Sequence, residues 1–227
     1  MKSISAPTRH RRWLFTSVLT LVAVACVGVS SEQFDDDDLT LLPVDTTVQR
    51  SMDAERPERV DGFLTIEGMR EPMTFVLFRS PGGFPLPFET YLPEDVAADQ
   101  GGLISSGEGD AVRFSGAWEG TDAERAVLSV TIPSGELNAR AAQQLVREVA
   151  EAMGPSERVT GGGYTWALEE HRFRTVGMAG RVALGRHDGT YFYLITAHPP
   201  EMGDGFGPRV HRILGEWRWA NGSRLGS

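Results

Sequence analysis

One cysteine and one lysine occur in the 227 residues, Cys26 and Lys2. A lone thiol excludes an internal disulfide, so packing must hold whatever folds here. After Lys2 every basic residue is arginine, which fits either a GC-rich coding bias or life at high salt, where an acidic, lysine-poor surface stays hydrated. Long apolar runs are scarce as well. The one candidate, Trp13–Ala25, is broken by Thr16, Ser17 and Thr20 and falls short of the roughly 20 residues that a membrane span requires. Basic charge is scarce too: 22 Lys and Arg against 31 Asp and Glu. Such a balance repels polyphosphate, and no nucleic-acid partner is expected. Catalytic signatures are missing: there is no H-E-x-x-H, no paired C-x-x-C, no G-x-S-x-G and no Gly-Lys-Ser/Thr phosphate loop. No internal repeat is present.

What is there begins with three ordered parts. Met1–Arg12 carries Lys2, Arg9, Arg11 and Arg12 and no acid; Trp13–Val24 is mainly apolar; Ala23-Val24-Ala25 presents small residues for cleavage. That is the layout of a secretory signal peptide over residues 1–25. Without it, 18 basic residues face 31 acidic ones, a net charge of −13. Two processing routes fit. Cleavage after Ala25 could release a soluble periplasmic or secreted protein. Alternatively, Ala23-Val24-Ala25-Cys26 resembles a bacterial lipobox, with Ala23 where that pattern prefers leucine. This implies acylation of Cys26 and anchoring to the envelope membrane. The lone cysteine favours the anchor, as does the hydrated run Ser30–Gln33 and Asp35–Asp38 behind it, which suits a flexible acidic tether. The expected organisation is a signal peptide at 1–25, a lipidated N-terminus and linker at 26–59, one α+β domain at 60–220 and a C-terminal tail at 221–227.

Within the domain, Phe63–Glu67 and Met73–Phe78 read as a hairpin across a five-residue loop, Gly68–Pro72. Pro85 and Pro87 feed an extended Phe88–Leu92, a strand suited to an edge or entry position. Gly101-Gly102 and Gly107–Asp110 read as turns. Ala111–Trp118 pairs with Ala126–Ile132 through a polar turn at 119–124. The clearest helix follows Asn138, its N-cap, with Ala142, Leu145, Val146, Val149 and Met153 on one face and Arg140, Gln144, Arg147 and Glu151 on the other; Gly154-Pro155 stops it. Gly161–Gly163 opens a strand, Tyr164–Arg174. Gly180–Arg186 and Thr190–Ala197 form a hairpin about Asp188-Gly189. A second helix covers Pro208–Leu214, and Trp217 and Trp219 share a face of a closing strand, as core cover rather than a sugar platform. Connections this short exclude parallel crossovers, so an α+β fold is expected: a mostly antiparallel β-sheet with two main helices packed on it.

From about Phe84 to Trp219 this layout resembles the Mog1/PsbP-like α-β-α sandwich domains. The likeness rests on Phe88-Glu89-Thr90-Tyr91-Leu92-Pro93, the Ala139–Met153 helix, Gly189–Ile195, and Val210-x-x-Ile213-Leu214 leading into an aromatic. Gly215-Glu216-Trp217 stands where that group often has Ser-Phe, and the opening strand lacks its usual Gly-Trp. The resemblance implies a non-enzymatic binding or accessory protein with a protein partner at the bacterial envelope, and no cofactor.

Candidate chemistry concentrates in His198-Pro199-Pro200-Glu201-Met202-Gly203-Asp204-Gly205-Phe206-Gly207-Pro208-Arg209. This reads as a stiff strand-to-helix loop whose Glu201, Asp204 and Arg209 could meet an anion or a partner. The enzymatic alternative is an envelope hydrolase, or a metal-dependent enzyme built on His198, Glu201 and His211. No metal-ligand spacing supports that alternative, and no metal site or catalytic residue is assigned.

Overall fold

The computed structural model describes residues 56–116 and 125–226, with nothing described of the side chains at 100–102. The signal segment, Cys26, Asp35–Asp38, nearly all of the 26–59 linker, Trp118 and the 119–124 turn lie outside the described residues.

Among the described residues, eleven strands and two α-helices follow in order: β1 (Arg59–Ile66), β2 (Met69–Arg79), β3 (Phe88–Pro93), β4 (Val96–Ser106), β5 (Gly109–Gly116), β6 (Val127–Pro133), α1 (Ala139–Met153), β7 (Ser156–Arg158), β8 (Glu169–Arg174), β9 (Ala179–His187), β10 (Thr190–His198), α2 (Gly203–Gly215) and β11 (Arg218–Trp219). All registered strand pairs are antiparallel, as the short connections require. The fold is α+β, divided over two sheets: β1-β2-β3-β11, and β4-β5-β6-β10-β9-β8-β7.

Helix α1 covers one face of the larger sheet. Asn138 caps it, accepting a 2.9 Å hydrogen bond from the Ala141 amide. Its buried stripe, Ala142, Val146 and Ala150, packs on Phe173, Val182, Leu184 and Ala197. Helix α2 lies on the opposite face. There Phe206, Val210 and Ile213 join Phe114, Leu128, Phe192 and Leu194 in the main core, closed by Trp217 and Trp219. Trp217 is fully buried and stacks on Phe88 at 3.7 Å, so both tryptophans are core. Thr90 ties β3 to α2, donating to the Ile213 carbonyl at 2.6 Å.

The hairpins differ in how closely they match expectation. Asp188-Gly189 turns β9 into β10 with φ of 45° and 81°, the left-handed pair that a two-residue turn needs. The first hairpin turns just as tightly, on Glu67 and Gly68 with φ of 51° and 80°, rather than through a five-residue loop. Pro72 therefore lies inside β2 opposite Phe63, beyond the Phe75–Arg79 stretch that β3 pairs with. Gly101-Gly102 is no turn. It lies within β4, an edge strand of the larger sheet, between Ala98 and Leu103 where the register slips. A bulge absorbs glycines that would otherwise end a strand.

Strand β8 is shorter than expected, because Val159–Leu168 forms a strap over the sheet. β7 also pairs with β8. Helix α2 starts a full turn earlier than Pro208, at Gly203. Glycine-rich sequence predicts a loop there, but Phe206 in the core and Arg209 on Asp95 hold that turn in helical form. Flanking residues join the fold on both sides of 60–220. Arg56 donates to Glu89 at 3.1 Å and to Glu216 at 3.2 Å, and Leu225 packs on the main core.

Candidate functional site

Helix α2 packs on β10 and leaves β8 and β9 beside it, so one face of them is left uncovered. Alternation divides β8 cleanly. Glu169, His171 and Phe173 are buried on one face, with Phe173 against α1, while Glu170, also buried, and the exposed Arg172 and Arg174 point the other way. Across the pair, Arg181 stands opposite Arg172 and Ala179 opposite Arg174. On the far side Glu157 of β7 stands opposite Arg172. The result is an open cleft of about 1310 Å³. Its floor carries Arg172, Arg174 and Arg181, one wall is Tyr164 and Trp166 of the strap, and the other is α2 with Phe206, Val210 and Leu214.

The strap is held by one buried carboxylate. Glu170 accepts the Tyr164 amide at 2.7 Å on one oxygen and Arg181 Nη1 at 2.7 Å on the other. Gly163 makes this possible, since a Cβ there would lie 2.4 Å from the Glu170 Oε2 atom. Tyr164 stacks on Trp166 at 5.2 Å, and Trp166 on Phe192 at 5.9 Å. Burial raises the Tyr164 phenol above its ordinary 10.0, and nearby Glu170 raises it further, against the opposing pull of Arg181 and a hydrogen bond with Thr196. The cleft therefore presents a neutral hydroxyl at neutral pH. On the opposite face of β8 the charge is closed off: His171 Nε2 lies 2.8 Å from Glu169 Oε1, both buried.

The residues singled out in sequence fare differently. Arg209 is 7% exposed and fully engaged: it grips the Asp95 carboxylate with Nε and Nη2 and donates from Nη1 to the Gly205 carbonyl at 2.6 Å. Asp95 sits at the corner where the chain leaves β3 for β4, so Arg209 clamps α2 to the junction of the two sheets. Glu201 and Asp204 are exposed, on the 3₁₀ turn Pro200–Met202 and the first turn of α2. Neither lines the cleft. His198 and His211 do line it. His198 donates from Nδ1 to the Pro199 carbonyl at 2.8 Å and packs near Phe206. Among the described residues, no group of three or more His, Cys, Asp or Glu side chains comes together as a metal site, which removes the metal reading of His198, Glu201 and His211. Cys26 lies outside the described residues.

Sequence reasoning passed over Arg172, Arg174, Arg181, Glu170, Tyr164 and Trp166. A signal was present. Glu170-x-Arg172-x-Arg174 places three charges on one face of a strand whose other face ends in Phe173, and a strand with one charged face borders something polar.

No family model matches the chain, and no curated protein does. Among solved structures it is similar to the solution structure of cyanobacterial PsbP (CyanoP) from Synechocystis sp. PCC 6803. Sequence identity is 15% and the TM-score 0.38, over 63% of this chain and 92% of that one.

Proposed function

We propose that this is an exported, lipid-anchored binding or accessory protein of the bacterial envelope that holds its ligand in the cleft between α2 and β7–β9, without chemical conversion. One observation carries the reading: a concavity of about 1310 Å³, large enough for a molecule of drug size, sits on strands whose opposite face is sealed by α1. Its lining is guanidinium, aromatic and aliphatic, a composition that suits holding and orienting a molecule. The basic, apolar and small-residue order of residues 1–25 supports export, and Cys26 after Ala23-Val24-Ala25 supports the anchor. Acylation by more than one chain would hold the domain stably at a membrane surface, within reach of envelope partners.

The test is the intact mass of the protein extracted from membranes in detergent, beside a Cys26→Ala strain. A species beginning at Cys26, heavier by acyl groups and lost on substitution, is the expected result. An unmodified species in the soluble fraction would leave a secreted binding domain and end the anchored reading.

A further inference from the structure

Resting on the cleft as the binding site, we propose that its ligand is an amphiphilic anion: a phosphate or carboxylate head gripped by Arg172, Arg174 and Arg181, with an apolar body lying between Trp166 and the α2 wall. The charge of the cleft runs against that of the chain. Four arginines, Arg172, Arg174, Arg181 and Arg224, line it with one acid, Glu157, in a protein of net charge −9. The nearby carboxylates are committed elsewhere. Glu169 is turned to the α1 face with His171, and Glu170 is taken up by Arg181 and the Tyr164 amide. Glu157 stands opposite Arg172 in register, yet no hydrogen bond or ion pair joins them. Among the described residues, neither Arg172 nor Arg174 has a side-chain partner.

Register adds a modest repulsion without a ligand, since Glu170 offsets only the charge of Arg181. Arg172 and Arg181 face each other across β8 and β9, and like charges directly opposite destabilise a sheet. Arg172 and Arg174 are two residues apart on one strand face, about 7 Å along it. An oxyanion between the three would relieve the repulsion and accept charge-assisted, bidentate hydrogen bonds, the geometry that guanidinium forks favour. Arg181 is held in place by Glu170 at 2.7 Å, so one arm of the grip is already oriented. The opposite wall is α2, where the exposed Gly207 and Gly215 leave the edges of the buried Phe206, Val210 and Leu214 as the apolar backing, with His211 beside them, facing the stacked Tyr164–Trp166 pair. A head of one chemistry and a body of another are thus both provided for.

Calorimetric and amide-NMR titrations of the exported chain carrying Cys26→Ala, at fixed ionic strength, would compare octyl phosphate, octyl glucoside and inorganic phosphate. Octyl phosphate is expected to bind about tenfold or more tightly than either of the others, and to lose about tenfold in the Arg172→Gln/Arg174→Gln variant, the scale of one charge-assisted contact. Shifts should fall on β8, β9 and the strap. A second variant guards against misreading: Gly207 lines the cleft with open space around it, so Gly207→Trp should fill the site and abolish binding while leaving the fold intact. Equal binding of octyl phosphate and octyl glucoside, unmoved by the arginine substitutions but lost in Gly207→Trp, would overturn the anionic head and leave the cleft standing. Absence of cleft shifts with every probe, or binding indifferent to Gly207→Trp, would overturn both. If the head is recognised, sedimentation with phosphatidylglycerol vesicles decides its source. Arginine-dependent depletion points to a membrane lipid, and binding of monomeric octyl phosphate alone points to a soluble anion.

Discussion

The two faces of strands β8 and β9 are built from alternate residues of the same short segments, yet they behave as different materials. Toward α1 the side chains are apolar and packed together: Phe173, Val182 and Leu184 against Ala142, Val146 and Ala150. The alanines let the helix come close, and the buried polar groups there are satisfied internally: Glu169 meets His171 at 2.8 Å and Arg158 at 3.7 Å. Toward the cleft the same strands present Arg172, Arg174 and Arg181, and α2 leaves them uncovered. The period of two along a strand lets one segment serve a dry core and a wet site without compromise, since substitutions on one face need not disturb the other.

Stability measurements can break that comparison. Phe173, 2% exposed, sits between Arg172 and Arg174 in sequence. Phe173→Ala is expected to cost about 3–5 kcal/mol in urea unfolding. Arg172→Gln and Arg174→Gln, one position away on either side, should each change stability by no more than about 0.5 kcal/mol. A large loss from either arginine would show that the open face is structural after all. Arg209 offers a contrast, as an arginine that has been absorbed into the fold. Arg209→Met leaves Asp95 charged and partly buried without its partner, and a loss of about 3 kcal/mol is expected. A double cycle with Asp95→Asn would recover part of that loss, because the stranded charge is then removed as well.

A smaller effect comes from pH, through one tyrosine with a raised pKa on each face. Burial raises Tyr164 on the cleft side and Tyr193 on the α1 side above their ordinary 10.0. A folded-state pKa raised in this way means that the native protein holds its proton more tightly than the unfolded chain does. The contribution is fully present below pH 10 and is lost as pH climbs through the folded-state values. Stability should therefore fall above about pH 10, and Tyr164→Phe and Tyr193→Phe should each flatten part of that decline, which unfolding curves at stepped alkaline pH would resolve. If only one substitution flattens it, only that face holds a buried phenol.

Much of the fold was legible from local chemistry. Asn138, the helical spacing through Met153, and Asp188-Gly189 each act within a few residues, so propensity and turn geometry suffice to place α1 and the β9–β10 hairpin. Where local and global preferences conflict, the sequence alone misled. Gly203-Asp204-Gly205 reads as a loop, and only the burial of Phe206 and the Arg209–Asp95 clamp make it helix. Gly101-Gly102 reads as a turn, and only an edge position with a slipped register keeps it in β4.

The site divides in the same way. Composition, the order of residues 1–25 and the alternation of β8 were determined by the sequence itself, because each is a property of neighbours along the chain. Which alternate face stayed open was decided by the tertiary structure alone. Arg209 and Arg172 are the same residue type in an acidic chain. One is a clamp because Asp95, more than 100 positions away, meets it at a sheet corner. The other lines a cleft because α2 ends its packing short of β8. Long-range packing assigned those roles, and no local pattern carries that information.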